Sequence, residues 1–215
     1  YDPQTDGWQP LAKMTTARAA LQLAAVGGKI YAIGGWGGEL ALAVEAYDPQ
    51  LGSWALVASM SGKRERHASV VLDGKIYAMG GYDEDDTMLD TVEAYDPQAD
   101  SWQRVASMPR SLHYHAAAAM GGKIYVTGGE TDEGSVNSVF VYDPQADAWT
   151  QLASMSTARD SHASSAIDGK LYVFGGLDND EAFLSTVEVY DPASDSWAQG
   201  PSMTCARSDI AAVSL

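Results

Sequence analysis

The chain repeats itself at a nearly fixed interval, and that limits what it can fold into more than any other feature. Tyr-Asp-Pro begins at Tyr1, Tyr47, Tyr95, Tyr142 and Tyr190, at spacings of 46, 48, 47 and 48 residues. A Trp lies seven residues beyond each tyrosine (Trp8, Trp54, Trp102, Trp149, Trp197), and a Met six beyond each Trp (Met14, Met60, Met108, Met155, Met203). Gly-Gly pairs stand at 34–35, 80–81, 128–129 and 175–176, each preceded by a Lys-(Ile or Leu)-Tyr run. Several kinds of marker in one register mean one structural unit copied along the chain. Such a unit buries its apolar faces against neighbouring copies rather than alone.

Each unit reads as four short strands. In the second full unit, residues 67–72 make the first strand. Asp73-Gly74 suits a two-residue hairpin turn that needs positive φ at both positions. Residues 75–79 form the second strand, ended by Gly80-Gly81, where a side chain would obstruct a close backbone approach. A variable loop follows, residues 91–95 alternate as the third strand, Asp96-Pro97 opens a turn, and Ser101-Trp102-Gln103 begins the fourth. Residues 16–26 carry Ala and Leu of high helix propensity. Their counterparts 64–72 and 159–167 hold more β-branched and Ser residues, so the repeat outranks local propensity and predicts strand. Four-stranded units of about 47 residues stacked side by side are propeller blades. The repeated Tyr and Trp then fill the space between sheets.

The pattern Arg-x-x-His, Gly-Lys-Ile-Tyr, Gly-Gly, Tyr-Asp-Pro, Trp and Met resembles the kelch repeat over the whole chain. The resemblance implies an all-β, kelch-type β-propeller, with the first strand of each blade lining the channel and the fourth outermost. Four full units span about residues 17–59, 63–107, 111–154 and 158–202 of a single 1–215 region. Segments 1–16 and 205–215 match a fourth and a first strand and predict partial blades. A piece of a larger propeller is expected, because the chain starts at Tyr1 without a Met and kelch propellers more often have about six blades. The competing arrangement is a small ring closed by the termini. An open arc exposes strand edges and apolar faces, which predicts self-association.

The 29 acidic and 13 basic residues give a formal net charge of −16, which disfavours nucleic acid and anionic membranes as partners. No apolar run is long enough to cross a bilayer. The single cysteine, Cys205, makes no internal disulfide, so nothing demands an oxidising compartment and a cytoplasmic location is expected.

Six of the seven arginines (Arg18, Arg64, Arg66, Arg110, Arg159, Arg207) lie between a repeat Met and the next first strand. The fold gathers that position onto one face, around the channel mouth, where guanidinium groups can grip carboxylates. The resemblance implies that this face binds partner peptides, with Arg18, Arg64, Arg66, Arg159 and Arg207 as partner-binding residues and an acidic partner expected. The alternative is that they bond to carbonyls of their own blades. Arg66 is an extra arginine in its unit and the better candidate; the third unit has Leu112 at the arginine position. The loops after Gly-Gly vary most and open with Trp36-Gly37-Gly38-Glu39 in the first unit. There Trp36 and Tyr82 are anchors of the type found at interface hot spots. The acidic run at 83–86 lacks the Gly and the spaced Glu of a calcium loop and reads as solvated. His67, His115 and His162 share one position; three histidines could ligate a metal, but as kelch consensus residues in separate blades they predict none. His113 has no counterpart and is expected at the surface.

Some kelch propellers are enzymes, including copper radical oxidases and sialic acid mutarotases. Cys205 lacks the His and Tyr set of the oxidases, and no nucleophile or paired-acid signature stands out. The reading is therefore a protein–protein interaction module, not an enzyme, with no cofactor. By resemblance to kelch propellers that follow BTB and BACK domains, it would recognise substrates for a cullin-RING ubiquitin ligase. The alternative is a carbohydrate-active kelch enzyme such as a sugar mutarotase.

Overall fold

The computed structural model describes residues 2, 4–37 and 42–213. Tyr1, Pro3, the loop residues 38–41, among them Gly38 and Glu39, and the final two residues lie outside them. Blade 1 is a sheet of β1 (Gln22–Val26), β2 (Lys29–Ile33), β3 (Val44–Asp48) and β4 (Ser53–Val57), paired in that order. Blade 2 repeats it with β5 (Ala68–Leu72), β6 (Lys75–Met79), β7 (Val92–Asp96) and β8 (Ser101–Val105). Blade 3 holds β9 (Ala116–Met120), β10 (Lys123–Thr127), β13 (Val139–Asp143) and β14 (Ala148–Leu152), with a small hairpin of β11 (Glu130–Thr131) and β12 (Gly134–Ser135) in its loop. Blade 4 holds β15 (Ala163–Ile167), β16 (Lys170–Phe174), β17 (Val187–Asp191) and β18 (Ser196–Gly200). All pairing is antiparallel, and no helix occurs among the described residues.

Turn chemistry fixes the register. Leu72 pairs with Lys75 around Asp73-Gly74, whose φ values of 50° and 74° are both positive, as a type I′ turn requires. The middle strands are buried on both faces, whereas each fourth strand alternates exposed and half-buried residues. This gradient places β4, β8, β14 and β18 on the outside. The first strands β1, β5, β9 and β15 run side by side around the channel.

Residues 16–26 are not one strand. Only Gln22–Val26 is extended. Ala20 turns the chain with φ +53°, and Arg18 points inward before the strand begins. The segment after Met203 lies where a further first strand would stand. Gly176 N–H donates to Arg207 O (3.0 Å), and Ala212 lines the same channel cavity, of about 410 Å³, as Leu23 of blade 1.

Blades are joined through aromatic rings and outer-edge hydrogen bonds. Tyr31–Tyr95, Tyr77–Tyr142 and Tyr125–Tyr190 approach at 5.6, 6.0 and 6.2 Å between successive blades. Trp102 Nε1 donates to Ala58 O of the preceding blade (2.9 Å), and Trp149 and Trp197 do the same to Ala106 and Ala153. Asp100, Asp147 and Asp195 each accept the tyrosine hydroxyl of their own blade (2.7 Å) and a backbone N–H of the preceding one. Those two bonds hold the aspartates below the usual carboxylate range, the backbone N–H contributing most.

Blade 1 has Gly52 at this aspartate position, with φ +64°. Gly52→Asp would supply an acceptor for Tyr47 and for the N–H of Ala12, the counterpart of Ala58. It is expected to stabilise the protein by about 1 kcal/mol, read as a raised urea midpoint at constant slope.

Candidate partner-binding face

Arginine fills its repeat position because a buried carboxylate waits for it on the third strand. Arg18 Nη2 meets Glu45 Oε1 at 2.8 Å, Arg64 meets Glu93 at 2.9 Å, and Arg159 meets Glu188 at 2.8 Å. The six side chains are 0–3% exposed. The other end of each fork donates to carbonyls of its own blade: Gly34 and Ala43, Gly80 and Thr91, Gly175 and Thr186. The free oxygen of each glutamate accepts the backbone N–H of Thr15, Ser61 or Ser156. Burial alone would raise the Glu45 pKa, but the hydrogen bonds from Thr15 and the Arg18 charge hold it below the usual value. Burial depresses the Arg64 and Arg159 guanidinium groups, against the pull of their glutamates.

Arg18, Arg64 and Arg159 therefore leave the partner-binding set. Their charges are spent inside the blades, so the mouth is not the arginine-rich surface that the spacing suggested. Blade 3 supplies the corroborating signal that sequence reasoning missed. Leu112 replaces the arginine, and Phe140 replaces the glutamate that faces it elsewhere; the two are 0% and 4% exposed in one apolar cluster. Both members of the pair changed together, as a shared buried contact requires.

Two residues beyond each of these positions the chain builds a collar around the mouth. Ala20, Arg66, Tyr114, Ser161 and Asp209 all have φ between 50° and 53°. Each passes a backbone hydrogen bond to the one before: Arg66 N to Ala20 O, Tyr114 N to Arg66 O, Ser161 N to Tyr114 O, Asp209 N to Ser161 O, at 2.9–3.3 Å. The collar side chains face a vestibule of about 300 Å³. Arg66 stays half-exposed there, with its guanidinium 5.1 Å over the Tyr114 ring and 3.9 Å from Glu65. Arg207 is exposed, its backbone tied to Gly176 and Leu184.

The loops after Gly-Gly form the rim. Trp36 is 70% exposed, and its backbone exchanges hydrogen bonds with Ala19 at 2.7 and 2.8 Å. Trp36 and Tyr82 flank a cavity of about 440 Å³ with Lys63, Glu65 and Asp86. Lys63 pairs with Glu84 at 2.8 Å. Tyr82 continues into the next blade: its hydroxyl lies 3.2 Å from His113 Nε2, and the two rings are 4.5 Å apart. His113 packs against Tyr114 at 5.0 Å with the rings tilted by 50°, and is 5% exposed, a correction to its expected surface position. The cause is its place between the two tyrosines, where burial, then Arg66, lowers its pKa.

His67, His115 and His162 do not reach the channel as ligands. Each imidazole lies against the Gly-Gly of the preceding blade; a Cβ on Gly34, Gly80 or Gly128 would fall 2.6–2.7 Å from the ring. The ring nitrogens of His67 and His115 are sealed from solvent, while His162 Nε2 meets Thr127 Oγ1 at 2.9 Å. Burial pushes His115 and His162 down to about 3. Among the described residues, no three His, Cys, Asp or Glu side chains converge as a metal site.

A family model described as the KLHDC2/KLHL20/DRC7 Kelch-repeats domain matches residues 20–214. The chain belongs to this kelch-repeat family. Kelch domains generally mediate protein–protein interactions. Comparison with curated proteins found no match. Among solved structures, the one titled "Structure of YjhT" shares the kelch architecture with a TM-score of 0.85 and 17% identity, over 96% of this chain and 77% of that one. At that identity the likeness shows the fold alone. In all, 357 solved chains match this one, and a shared scaffold by itself does not decide function.

Removing one member of a kelch ion pair leaves a buried charge alone. Arg159→Ala is expected to cost about 3–5 kcal/mol, and the double change Arg159→Leu with Glu188→Phe, which copies Leu112 and Phe140, to recover most of it in urea unfolding. The histidines set the acid limb. Unfolded, they take up protons near about 6.5; folded His115 and His162 do so only near about 3. Above the first value neither state is charged; below it the unfolded chain alone binds protons, so stability falls as pH drops. His115→Leu, the residue already present as Leu21, should flatten part of that fall in Tm measured from about pH 7 to about 4.

Proposed function

We propose that this kelch propeller is a protein-interaction module whose partner docks on the collar and rim, at the end of the channel carrying Arg66, Tyr114, His113 and Tyr82. The observation that carries this reading is the continuous series of ring and cation–ring contacts those four side chains make from blade 2 into blade 3. Amphipathic rings held rigid at a surface lose little conformational entropy on binding, and an arginine braced on a ring keeps its free edge available. Trp36 extends the same face over blade 1. A partner carboxylate, the acidic character expected from the sequence, would be met by Arg66 and Arg207 of the predicted arginines.

The finer form of the reading is substrate recognition for a cullin-RING ubiquitin ligase in the cytoplasm. Self-association is a further part of it, supported by the exposed Leu11, Leu51 and Leu56 near the start of the chain. The competing reading is a sugar-converting kelch enzyme, which would work from a polar pocket at the mouth; His67, His115 and His162, sealed between blades, would not be part of it.

The test is selection of peptides from a displayed library on the intact chain. Arg66→Ala and Tyr82→Ala are each expected to weaken the selected peptide by about 2 kcal/mol or more, and Arg104→Ala, on the outer strand, to leave it unchanged. Peptides that bind all three variants like the parent would refute this reading.

A further inference from the structure

His113 is the one histidine of the chain that stands outside the repeat, and its bonding differs from that of the other three. The residue is 5% exposed and joins two blades. Nε2 lies 3.2 Å from the Tyr82 hydroxyl of blade 2 and 3.5 Å from Glu130 Oε2 on the blade 3 hairpin. Nδ1 is buried with no partner. A neutral imidazole carries one proton, and at Nδ1 that N–H would be buried without an acceptor. The proton therefore belongs on Nε2, between Tyr82 and Glu130. Tyr82 Oη then acts as an acceptor toward the ring, which leaves its own hydroxyl proton to donate elsewhere at the rim.

The charges around this pair come from three blades. Burial first, and Arg66 next, work against a further proton on His113, while Asp160 and Asp132 favour it. On Glu130, burial and then the Asp160 charge raise the pKa; Arg66 opposes this and Glu181 adds to it. Arg66 is itself only partly answered, by Glu65 at 3.9 Å, and its guanidinium rests 5.1 Å over the Tyr114 ring. Burial first raises Tyr82 and Tyr114, so both remain neutral phenols, and His115 takes up its proton only near about 3. A histidine held below its ordinary value thus faces a carboxyl held above its own across 3.5 Å, and Arg66 resists proton uptake by either one.

We propose that the His113–Glu130 pair couples the mouth to pH: an anionic group of the partner that docks on Arg66 draws one proton from solvent onto the pair, so acidification tightens the contact. The proposal rests on the interaction reading above and names the regulation of that face. Its sign follows from Arg66. An anion on the guanidinium cancels the field that keeps the proton off, so the bound state takes up the proton at a higher pH than the free state. Above both midpoints neither state holds it, and pH has no effect. As pH falls from about 7 to about 5 the bound state is protonated first and affinity rises; below the free midpoint the gain levels off.

The test follows the pair by NMR in the isotope-labelled intact chain. Methanesulfonate serves as the anion, because its own charge is constant over this range. In Arg66→Gln, with no anion added, the titration of the His113 imidazole or of the Glu130 carboxyl should move to higher pH. In the parent, methanesulfonate should shift the Arg66 and Tyr114 signals with a dissociation constant on the order of ten millimolar at neutral pH, about threefold lower at about pH 5. The double change His113→Gln with Glu130→Gln should bring that ratio to about one, whatever its affinity at neutral pH. An unmoved titration in Arg66→Gln, or a parent-like ratio in the double variant, overturns the proposal. Acidic library peptides that depend on Arg66 but bind equally at both pH values also overturn it, while leaving the interaction reading intact. A moved titration and pH-dependent probe binding without any peptide selected on the face would support the coupling and defeat that reading.

Discussion

Two glycines at the end of each second strand decide how closely one blade can approach the next. The second of each pair donates its N–H to a carbonyl of the following blade, Gly35 to Arg64, Gly81 to Leu112, Gly129 to Arg159 and Gly176 to Arg207, at 2.8–3.0 Å. All eight have positive φ. At Gly80 a Cβ would stand 2.5 Å from the Leu112 carbonyl of the next blade, a clash with backbone that no rotamer relieves. The carbonyls that receive these N–H groups belong to the residues just before the collar turn. The angle between blades, the seat of each buried histidine and the path of the chain around the mouth all follow from this one approach.

Within that frame the buried ion pairs organise each blade rather than the contact between blades. Each arginine closes the gap between the ends of its second and third strands, donating to the carbonyls of Gly34, Gly80 or Gly175 where regular ladder bonding has stopped. The glutamate in turn satisfies a backbone N–H of the segment leading into the blade. Blade 3 reaches the same closure with Leu112 and Phe140, and Pro109 stands where Thr15, Ser61 and Ser156 offer the glutamate an N–H, so no such donor is left over there. An apolar pair fills the space with no charge to desolvate, which shows that the position demands volume and closure rather than charge as such.

The architecture was legible in the sequence because its markers do physical work that few other residues can do: glycine for close approach, Asp-Gly for the hairpin, tyrosine and tryptophan for the space between sheets. The collar was not legible. Ala20, Arg66, Tyr114, Ser161 and Asp209 share no side-chain chemistry, so no pattern marks them, although all adopt one backbone conformation. The arginines misled for the converse reason. A residue repeated in every unit is more readily explained by a contact inside every unit, and the glutamate two residues before each third-strand tyrosine was the missing half of that contact. Phe140, breaking the glutamate series in the unit where Leu112 breaks the arginine series, was the one covariation available within a single chain. His113 escaped notice because its burial depends on Tyr82 and Tyr114, which meet it only after two blades pack.

The collar has a consequence for how such a mouth can change. Its hydrogen bonds are made by main chain alone, and its side chains stand clear of the apolar layers that hold the blades together. Each collar position is therefore a socket whose geometry is the same for alanine, arginine, tyrosine, serine or aspartate. Descendants of one scaffold can rewrite the opening letter by letter, altering what it admits without re-solving the problem of folding. The ion pairs offer no such latitude, since a change at one end must be answered at the other.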